Sequence, residues 1–249
     1  MKALITGASS GIGRDMARVL SEMGYDLILV ARRKDRLEQL KSEFSTNVEI
    51  ICLDVSSTEN CFKIYETVKE QDIDILINNA GFGIFGKFTD ISLEKELNML
   101  DVNIKAVDIL TKLFLKDFKA KNKGYILNVA SSAAFLPGPL LSSYYATKAY
   151  VLRLTEAIYE ELRREKSKVY IGALCPGPVN TEFNNVADVK FALKGLTSEY
   201  VAKYAIKKMF KRKMVIVPGF IMKCARFAAK LAPEKLLLKI AYNQQKKKG

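Results

Sequence analysis

The 249-residue sequence contains no histidine, and its cysteines form no CxxC pair; they are Cys52, Cys61, Cys175 and Cys224. A Ser-His-Asp triad is excluded because the histidine is missing, and the cysteine spacing excludes a structural zinc site. We expect the thiols to be reduced and unpaired, and we predict no metal site.

Long hydrophobic segments are also missing. No run reaches about 18 apolar residues, the length needed to cross a bilayer as a helix. The strand-like run from Lys2 to Thr6 follows Met1 directly and leaves no room for a secretory signal peptide. We therefore expect a cytoplasmic protein.

Positive charge is concentrated near the C-terminus. The 40 basic and 27 acidic residues give a net charge of +13. From Val201 onward there are fourteen Lys and Arg residues and one acid, Glu234, so residues 1–200 are neutral. The basic character therefore belongs to the last fifth of the chain.

Short apolar runs alternate with longer segments of helical periodicity. Continuous apolarity, as in residues 26–30, suits strands that are buried on both faces of a parallel sheet. The pattern predicts strands near 2–6, 26–31, 48–52, 74–78, 124–130, 168–174 and 213–217, and helices near 12–23, 34–45, 57–70, 92–120, 143–165 and 198–211. We predict one α/β domain: a Rossmann-type, doubly wound parallel sheet of seven strands with helices on both faces.

A glycine-rich segment, Thr6-Gly7-Ala8-Ser9-Ser10-Gly11-Ile12-Gly13, joins the first predicted strand to the first helix. Such a turn lets backbone N–H groups approach a pyrophosphate, and the helix N-terminus favours its negative charge. The spacing differs from the GxGxxG of many dinucleotide folds, and glycines also occur in ordinary tight turns. The segment alone is consistent with a cofactor site or with a plain turn.

The second predicted strand ends in Ala31-Arg32-Arg33, at the place where an NAD-binding chain carries an acid for the ribose. Guanidinium groups pair well with a 2′-phosphate, whereas an acid would repel it. The segment therefore favours NADP(H) over NAD(H), with Arg32 the preferred contact. A basic loop that faces solvent is the alternative.

The third and fourth predicted strands end in further candidates for cofactor contacts. Asp54, followed by Val55, could accept a hydrogen bond from an adenine amine or could cap the next helix. Small residues in Asn79-Ala80-Gly81 would allow a cofactor to approach closely, although an ordinary turn would look similar.

Tyr144 and Lys148 are four residues apart at the start of a long predicted helix and therefore share one helical face. A tyrosine pKa of about 10 is too high for a base at neutral pH, and a nearby ammonium lowers it by stabilising the phenolate. Ser131, thirteen residues before Tyr144, could hold a substrate oxygen beside it. A solvated Tyr-Lys pair and a serine that caps a turn are the structural alternatives.

Together these segments resemble the short-chain dehydrogenase/reductase family, and the similarity extends from Lys2 to about Val217. TGASSGIG, NNAG, Asn103, the spacing between Ser131 and Tyr144, YYATK and the run from Pro176 to Thr181 occur in the order typical of the family. No departure from the family's catalytic residues is visible.

The resemblance implies a role for each of these residues. Tyr144 would exchange a proton with the substrate oxygen, Lys148 would bind the nicotinamide ribose and lower the tyrosine pKa, and Ser131, rather than Ser132, would orient that oxygen. Asn103 would anchor a water that links Lys148 to solvent. The implied cofactor contacts are Gly7, Ser9, Ser10, Gly11, Ile12, Gly13, Arg32, Arg33, Asp54, Val55, Asn79, Ala80, Gly81, Tyr144, Lys148, Pro176, Gly177, Val179 and Thr181.

We predict an NADP(H)-dependent enzyme that reduces a ketone or aldehyde, or oxidises the matching alcohol, by hydride transfer. The segments 82–88, 133–141 and 183–196 would face the substrate; they carry apolar Phe85, Phe135, Leu136, Pro137, Phe183 and Phe191, and charged Glu182, Asp188 and Lys190. This composition favours an apolar substrate, unless these side chains only pack beneath the loop. A 3-oxoacyl thioester reductase of lipid synthesis and a non-catalytic dinucleotide sensor are the alternatives; the complete Ser131, Tyr144 and Lys148 set disfavours the sensor.

We assign residues 1–218 to the dinucleotide-binding catalytic domain, with a substrate loop at about 181–196, and residues 219–249 to a basic helical extension of that domain. In the extension, Phe220, Cys224, Phe227 and Leu231 recur at helical spacing, and a second helix should open near Pro233. It could form a lid or subunit contact, or bind an anionic membrane. Nucleic acid is disfavoured because interleaved aromatics and a known module are missing. A small-molecule substrate and a homodimer or homotetramer complete the expected partners.

Overall fold

The computed structural model describes residues 1–183 and 195–246, apart from the side chain of Lys230. The strands are β1 (Lys2–Thr6), β2 (Asp26–Ala31), β3 (Val48–Cys52), β4 (Ile73–Asn78), β5 (Tyr125–Val129), β6 (Tyr170–Leu174), β7 (Val179–Asn180), β8 (Leu196–Thr197) and β9 (Val215–Ile216). The α-helices are α1 (Gly11–Glu22), α2 (Lys34–Glu43), α3 (Thr58–Val68), α4 (Leu93–Leu100), α5 (Ala106–Ala120), α6 (Ser142–Arg164), α7 (Ser198–Phe210), α8 (Phe220–Leu231) and α9 (Glu234–Lys246).

Seven of the strands form one parallel sheet in the order β3-β2-β1-β4-β5-β6-β9. Helices α1, α2 and α7 bury one face, and α3, α5 and α6 bury the other. Residues such as Leu27 and Ile28 pack into opposite cores, which explains the continuous apolarity of the strands. The predicted fold class is confirmed, and the strand order reverses between β1 and β4, where such sheets bind ligands.

The segment near 92–120, predicted as one helix, is divided in the structure. A π-helical turn, Asp101–Lys105, separates α4 from α5. Its wider backbone spacing is a local deviation that helical periodicity in the sequence does not reveal. The turn contains Asn103, whose buried side chain accepts a hydrogen bond from Phe82, in the segment after β4.

Two elements beyond the seven-stranded sheet bear on the site. The two-residue strands β7 and β8 pair in parallel, and they are too short to produce a recognisable sequence pattern. The predicted helices of the extension are present as α8 and α9. No helix within the described ranges is both long enough and apolar enough to cross a membrane.

Candidate active site

A cavity of about 870 Å³ lies along the carboxyl ends of the central strands. Its volume is near the upper end of the range of about 300–1,000 Å³ that is usual for ligand sites. Every predicted catalytic and cofactor-binding residue lines the cavity except Gly13 and Asn103. The structure therefore brings the glycine-rich turn, the strand ends and the tyrosine-lysine helix to one place.

The glycine-rich turn has a backbone that side chains would obstruct. Gly7 and Gly11 have φ angles of +65° and +54°, in the left-handed region. A Cβ on Gly7 would lie 2.8 Å from the Cα of Ala80, and a Cβ on Gly13 would collide with the amide of Asn79. Gly13 thus serves the packing behind the turn, which is why it does not line the cavity.

Side-chain hydrogen bonds tie this turn to the end of β4. The Thr6 hydroxyl accepts from the backbone N–H groups of Asn79 and Ala80, at 3.0 and 3.1 Å. The Asn79 amide donates to the carbonyls of Thr6 and Gly7, at 3.0 and 3.1 Å. These hydrogen bonds therefore hold the glycine-rich turn in place, and its open backbone fits a pyrophosphate.

Of the two arginines after β2, Arg33 is the one that contacts the glycine-rich turn. Its guanidinium donates to the hydroxyls of Ser9 and Ser10, at 3.0 and 3.1 Å. Arg32 instead lies 3.5 Å from Asp54, and its side chain is 70% exposed. The sequence favours Arg32 as the cofactor contact. In the structure it is Arg33, the residue just before α2, that extends over the glycine-rich turn.

Asp54 does not cap the helix that follows it. Its carboxylate accepts from the N–H of Ser56 at 3.0 Å, whereas the hydroxyl of Ser57 caps α3 by accepting from Asn60 at 3.3 Å. The helix-cap alternative is therefore wrong, and the carboxylate stays at the cavity wall.

Glu182 lies at the cofactor end of the cavity rather than at the substrate end. Its carboxylate accepts from Arg33 at 2.9 Å and from Arg36. These hydrogen bonds hold the pKa of Glu182 below its usual value. The expectation that Glu182 faces the substrate is corrected, since both basic partners lie around the start of α2.

Tyr144 lines the cavity, and its side chain is half-buried. Burial raises the pKa of Tyr144 to about 12, and a side-chain hydrogen bond with Ser131 acts in the opposite direction. The Ser131 hydroxyl also accepts from the N–H of Ala133 at 3.1 Å, which fixes its position. Tyr144 and Ser131 thus line the same cavity.

Lys148 is buried one turn further along α6, with 4% of its surface exposed. Its ammonium donates to the Val129 carbonyl at 3.0 Å and lies 5.9 Å from the centre of the Tyr144 ring. Burial lowers the pKa of Lys148 to about 8. The family resemblance implies that Lys148 lowers the pKa of Tyr144. In this arrangement burial has the largest effect on that pKa, and the Lys148 ammonium is hydrogen-bonded to the Val129 carbonyl.

Asn103 supports the site from behind. Its side chain accepts from the N–H of Phe82 at 3.1 Å and donates to the Phe82 carbonyl at 2.9 Å and to the Thr147 hydroxyl at 3.0 Å. Gly81 makes room for this, since a Cβ there would lie 2.9 Å from Asn103 and 3.1 Å from the Lys148 ammonium. The side-chain amide is therefore engaged with the segment after β4 and with α6, and its hydrogen-bond partners do not include Lys148.

The substrate end of the cavity is mostly apolar and includes residues that sequence reasoning missed. Phe135, Leu136 and Phe183 line it as expected, whereas Phe85 and Pro137 do not; Asp188, Lys190 and Phe191 fall outside the described residues. The extension adds Met222, Ala225, Arg226, Gln244 and Gln245. Gln245 donates to the hydroxyl of Tyr145, the neighbour of Tyr144. The inner side of the extension thus covers part of the cavity as a lid, one of the roles predicted for it alongside a subunit contact and membrane binding.

Sequence comparison with known proteins agrees with this geometry. The sequence model of the family described as short chain dehydrogenase matches residues 1–190. A human very-long-chain 3-oxoacyl-CoA reductase is 32% identical over 213 residues, which cover 82% of this chain and 67% of the human protein.

Solved structures show the same similarity over more of the chain. A short-chain dehydrogenase from Sphingobium yanoikuyae, in complex with NADPH, is 30% identical with a TM-score of 0.82, covering 93% of this chain and 96% of that one. An alcohol dehydrogenase from Comamonas testosteroni, specific for bulky-bulky ketones, is 27% identical with a TM-score of 0.80 and coverages of 92% and 91%.

Proposed function

Because the chain belongs to the short-chain dehydrogenase/reductase family, whose members are NAD(P)-dependent oxidoreductases of alcohol and carbonyl groups, we propose that it interconverts an apolar ketone or aldehyde and the matching alcohol with NADP(H). The observation that carries the proposal is the placement of Tyr144 and Ser131 together in the wall of a large, mostly apolar cavity.

The proton chemistry follows from the state of Tyr144. Since burial raises its pKa to about 12, the phenol is protonated at neutral pH and can give its proton to a carbonyl oxygen during reduction. Ser131 would hold that oxygen by a second hydrogen bond, and the same tyrosine would take the proton back in the alcohol direction. When bound, the nicotinamide supplies or accepts the hydride.

The cofactor would be held by residues that lie along the cavity from the glycine-rich turn to β7. The backbone around Gly7 and Gly11 fits the pyrophosphate, and Lys148, which lines the cavity beside Gly81, fits the ribose hydroxyls. NADP(H) is favoured because Ala31 stands where an NAD-selective site has an acid, and because Arg33 faces the same turn. Arg32 and Arg33 together provide two guanidinium groups for a 2′-phosphate.

A second candidate is reduction of a 3-oxoacyl thioester. It is favoured by the similarity to the human very-long-chain 3-oxoacyl-CoA reductase and by the basic surface near the cavity, which suits an acidic carrier or coenzyme. In either case, we propose a homodimer or homotetramer in the cytoplasm as the working assembly.

The test is a panel of carbonyl compounds followed by the loss of NADPH absorbance. The panel pairs bulky apolar ketones with 3-oxoacyl thioesters of matched chain length, and Tyr144→Phe serves as the inactive control. Preference for the ketones supports the first candidate, and preference for the thioesters supports the second. Failure of every carbonyl and alcohol, with NADPH still bound, would contradict both and would leave a sensor.

A further inference from the structure

Helix α8 carries an apolar stripe that faces away from the protein. Phe220, Cys224, Phe227 and Leu231 are spaced at i, i+4, i+7 and i+11 and therefore lie on one helical face. Phe220, Phe227 and Leu231 are 79%, 67% and 72% exposed. Contiguous exposed apolar side chains of this size mark a contact surface.

The opposite face of α8 is already occupied. Met222, Ala225 and Arg226 line the cavity, Met222 packs against Gly177, and the Arg226 guanidinium lies 5.2 Å from the centre of the Phe135 ring. Turning the stripe inward would remove these contacts. The stripe is therefore an outer surface of the closed cavity and not a misplaced core face.

Helix α9 repeats the same two-sided arrangement. Ala241 and Gln245 are buried on its inner side, where Gln245 reaches Tyr145. Leu236 and Ile240, one turn apart, are 50% and 44% exposed. The two helices of the lid thus share an apolar exterior.

Positive charge surrounds this exterior. Lys223, Lys235, Lys239 and Lys246 are exposed. Along the part of the chain that the structure describes, the last ion pair joins Lys203 to Glu199, so none of these four lysines has an acidic partner there. The surface therefore calls for a partner that is both apolar and negatively charged.

We propose that the outer faces of α8 and α9 dock on an anionic lipid membrane. The apolar stripe would enter the hydrocarbon boundary while the lysines reach the headgroup phosphates, as basic amphipathic helices do. A second copy of the chain fits poorly, because two surfaces that each carry these four exposed lysines would repel each other. A nucleic acid offers charge but no hydrocarbon for Phe220 and Phe227.

Docking also affects access to the cavity, since the inner faces of the same helices form part of its wall. The membrane would then lie against the lid, where a lipophilic substrate can pass directly into the site. This consequence rests on the proposed apolar substrate, whereas the docking itself does not.

The test is co-sedimentation of the full chain with phosphatidylcholine vesicles, with and without phosphatidylserine. Binding should require phosphatidylserine and should weaken between 0.01 and 0.15 M salt, as the Debye length falls from about 30 to about 8 Å. Replacing Lys223, Lys235 and Lys239 by Glu should reduce partition by about a hundredfold or more, because each basic residue near such a surface contributes roughly fivefold. Phe220→Ser with Phe227→Ser should reduce it by about tenfold or more.

Matched controls use exposed residues on other elements. Lys41, Lys63 and Lys166 replaced by Glu change the net charge equally, and Phe62→Ser removes a phenylalanine that is 47% exposed on α3. These variants should retain vesicle binding within about threefold. All variants should reduce a short, soluble carbonyl normally, which confirms that they are folded.

Equal binding to both vesicle types, or equal losses in the two lysine triples, would overturn the proposal. A lower oligomeric state of the Phe220→Ser, Phe227→Ser variant, with vesicle binding unchanged, would also overturn the proposal. The stripe would then be covered by a second copy of the chain. Vesicle binding without faster turnover of a long-chain carbonyl would contradict the direct passage of substrate from the membrane, but not the docking. Inactivity toward every carbonyl would instead contradict the proposed function.

Discussion

Arg33 and Glu182, which are 149 positions apart, form an ion pair of 2.9 Å in the wall of the cofactor end of the cavity. Both side chains are about two-fifths exposed, so the pair is readily displaced. A 2′-phosphate would need the same guanidinium that Glu182 occupies. Cofactor binding and the position of the Glu182 side chain are therefore expected to depend on each other.

Glu182→Gln should tighten NADPH binding, because the 2′-phosphate no longer competes with a carboxylate. A half-exposed pair contributes about 0.5–1 kcal/mol, which corresponds to roughly two- to fivefold. NADH affinity, measured by the same fluorescence titration, should change little. Glu160→Gln, which removes a similar exposed ion pair with Arg163 on α6, is the control. Equal gains for both cofactors would show that Glu182 does not compete with the 2′-phosphate.

Arg33→Ala should weaken NADPH binding more than Arg32→Ala does, since only Arg33 reaches Ser9 and Ser10. Loss of a charge-assisted pair costs roughly 1.5–3 kcal/mol, or about ten- to a hundredfold in affinity. Adding Ala31→Asp to either variant should turn the preference toward NADH. The measurement is the ratio of the dissociation constants for NADPH and NADH. An unchanged ratio in the triple variant Ala31→Asp, Arg32→Ala, Arg33→Ala would show that the 2′-phosphate binds elsewhere.

Tyr144→Phe should abolish turnover and leave NADPH binding within a few-fold, because the ring stays and only the proton donor is lost. Tyr145→Phe is the matched control: it removes the neighbouring hydroxyl, which binds Gln245, and should retain catalysis. Stopped-flow measurement of hydride transfer separates the two effects. A Tyr144→Phe enzyme that kept more than about a tenth of the rate would remove Tyr144 from the mechanism.

Lys148→Met should raise the stability of the protein at neutral pH while impairing its activity. Burial lowers the pKa of Lys148 to about 8 from 10.5, so below pH 8 the folded state bears the full cost of a buried charge. Between about 8 and 10.5 the folded lysine loses its proton while the unfolded one keeps it, so this cost decreases as pH rises. The variant's advantage in urea unfolding should be on the order of 1–3 kcal/mol at pH 7 and much smaller at pH 10. An advantage that grows with pH would contradict the assignment.

The sheet could be predicted from the sequence because its signal is local. Each strand is a short apolar run, and β1, β2 and β3 begin and end at the expected residues. The grouping of Ser131, Tyr144 and Lys148 at one cavity follows from parallel topology, which places the carboxyl ends of strands along one edge.

Other features could not be predicted because they depend on contacts between distant segments. The choice between Arg32 and Arg33 is decided by the direction of one residue at the start of α2 and by Glu182, far along the chain. Likewise, helical periodicity showed that the extension is amphipathic but not that Met222 and Gln245 would return to the cavity. The π-helical turn at Asn103 has no periodicity of its own.

The hydrogen bond from Gln245 to Tyr145 also has a consequence for biosynthesis. A chain emerges from the ribosome at about 5–20 residues per second, and its domains begin to fold from the N-terminal side. Helix α6, which carries Tyr144 and Lys148, is complete before α9 is made. Until its last helix arrives, the newly made protein holds its reacting groups in a site that water can enter freely.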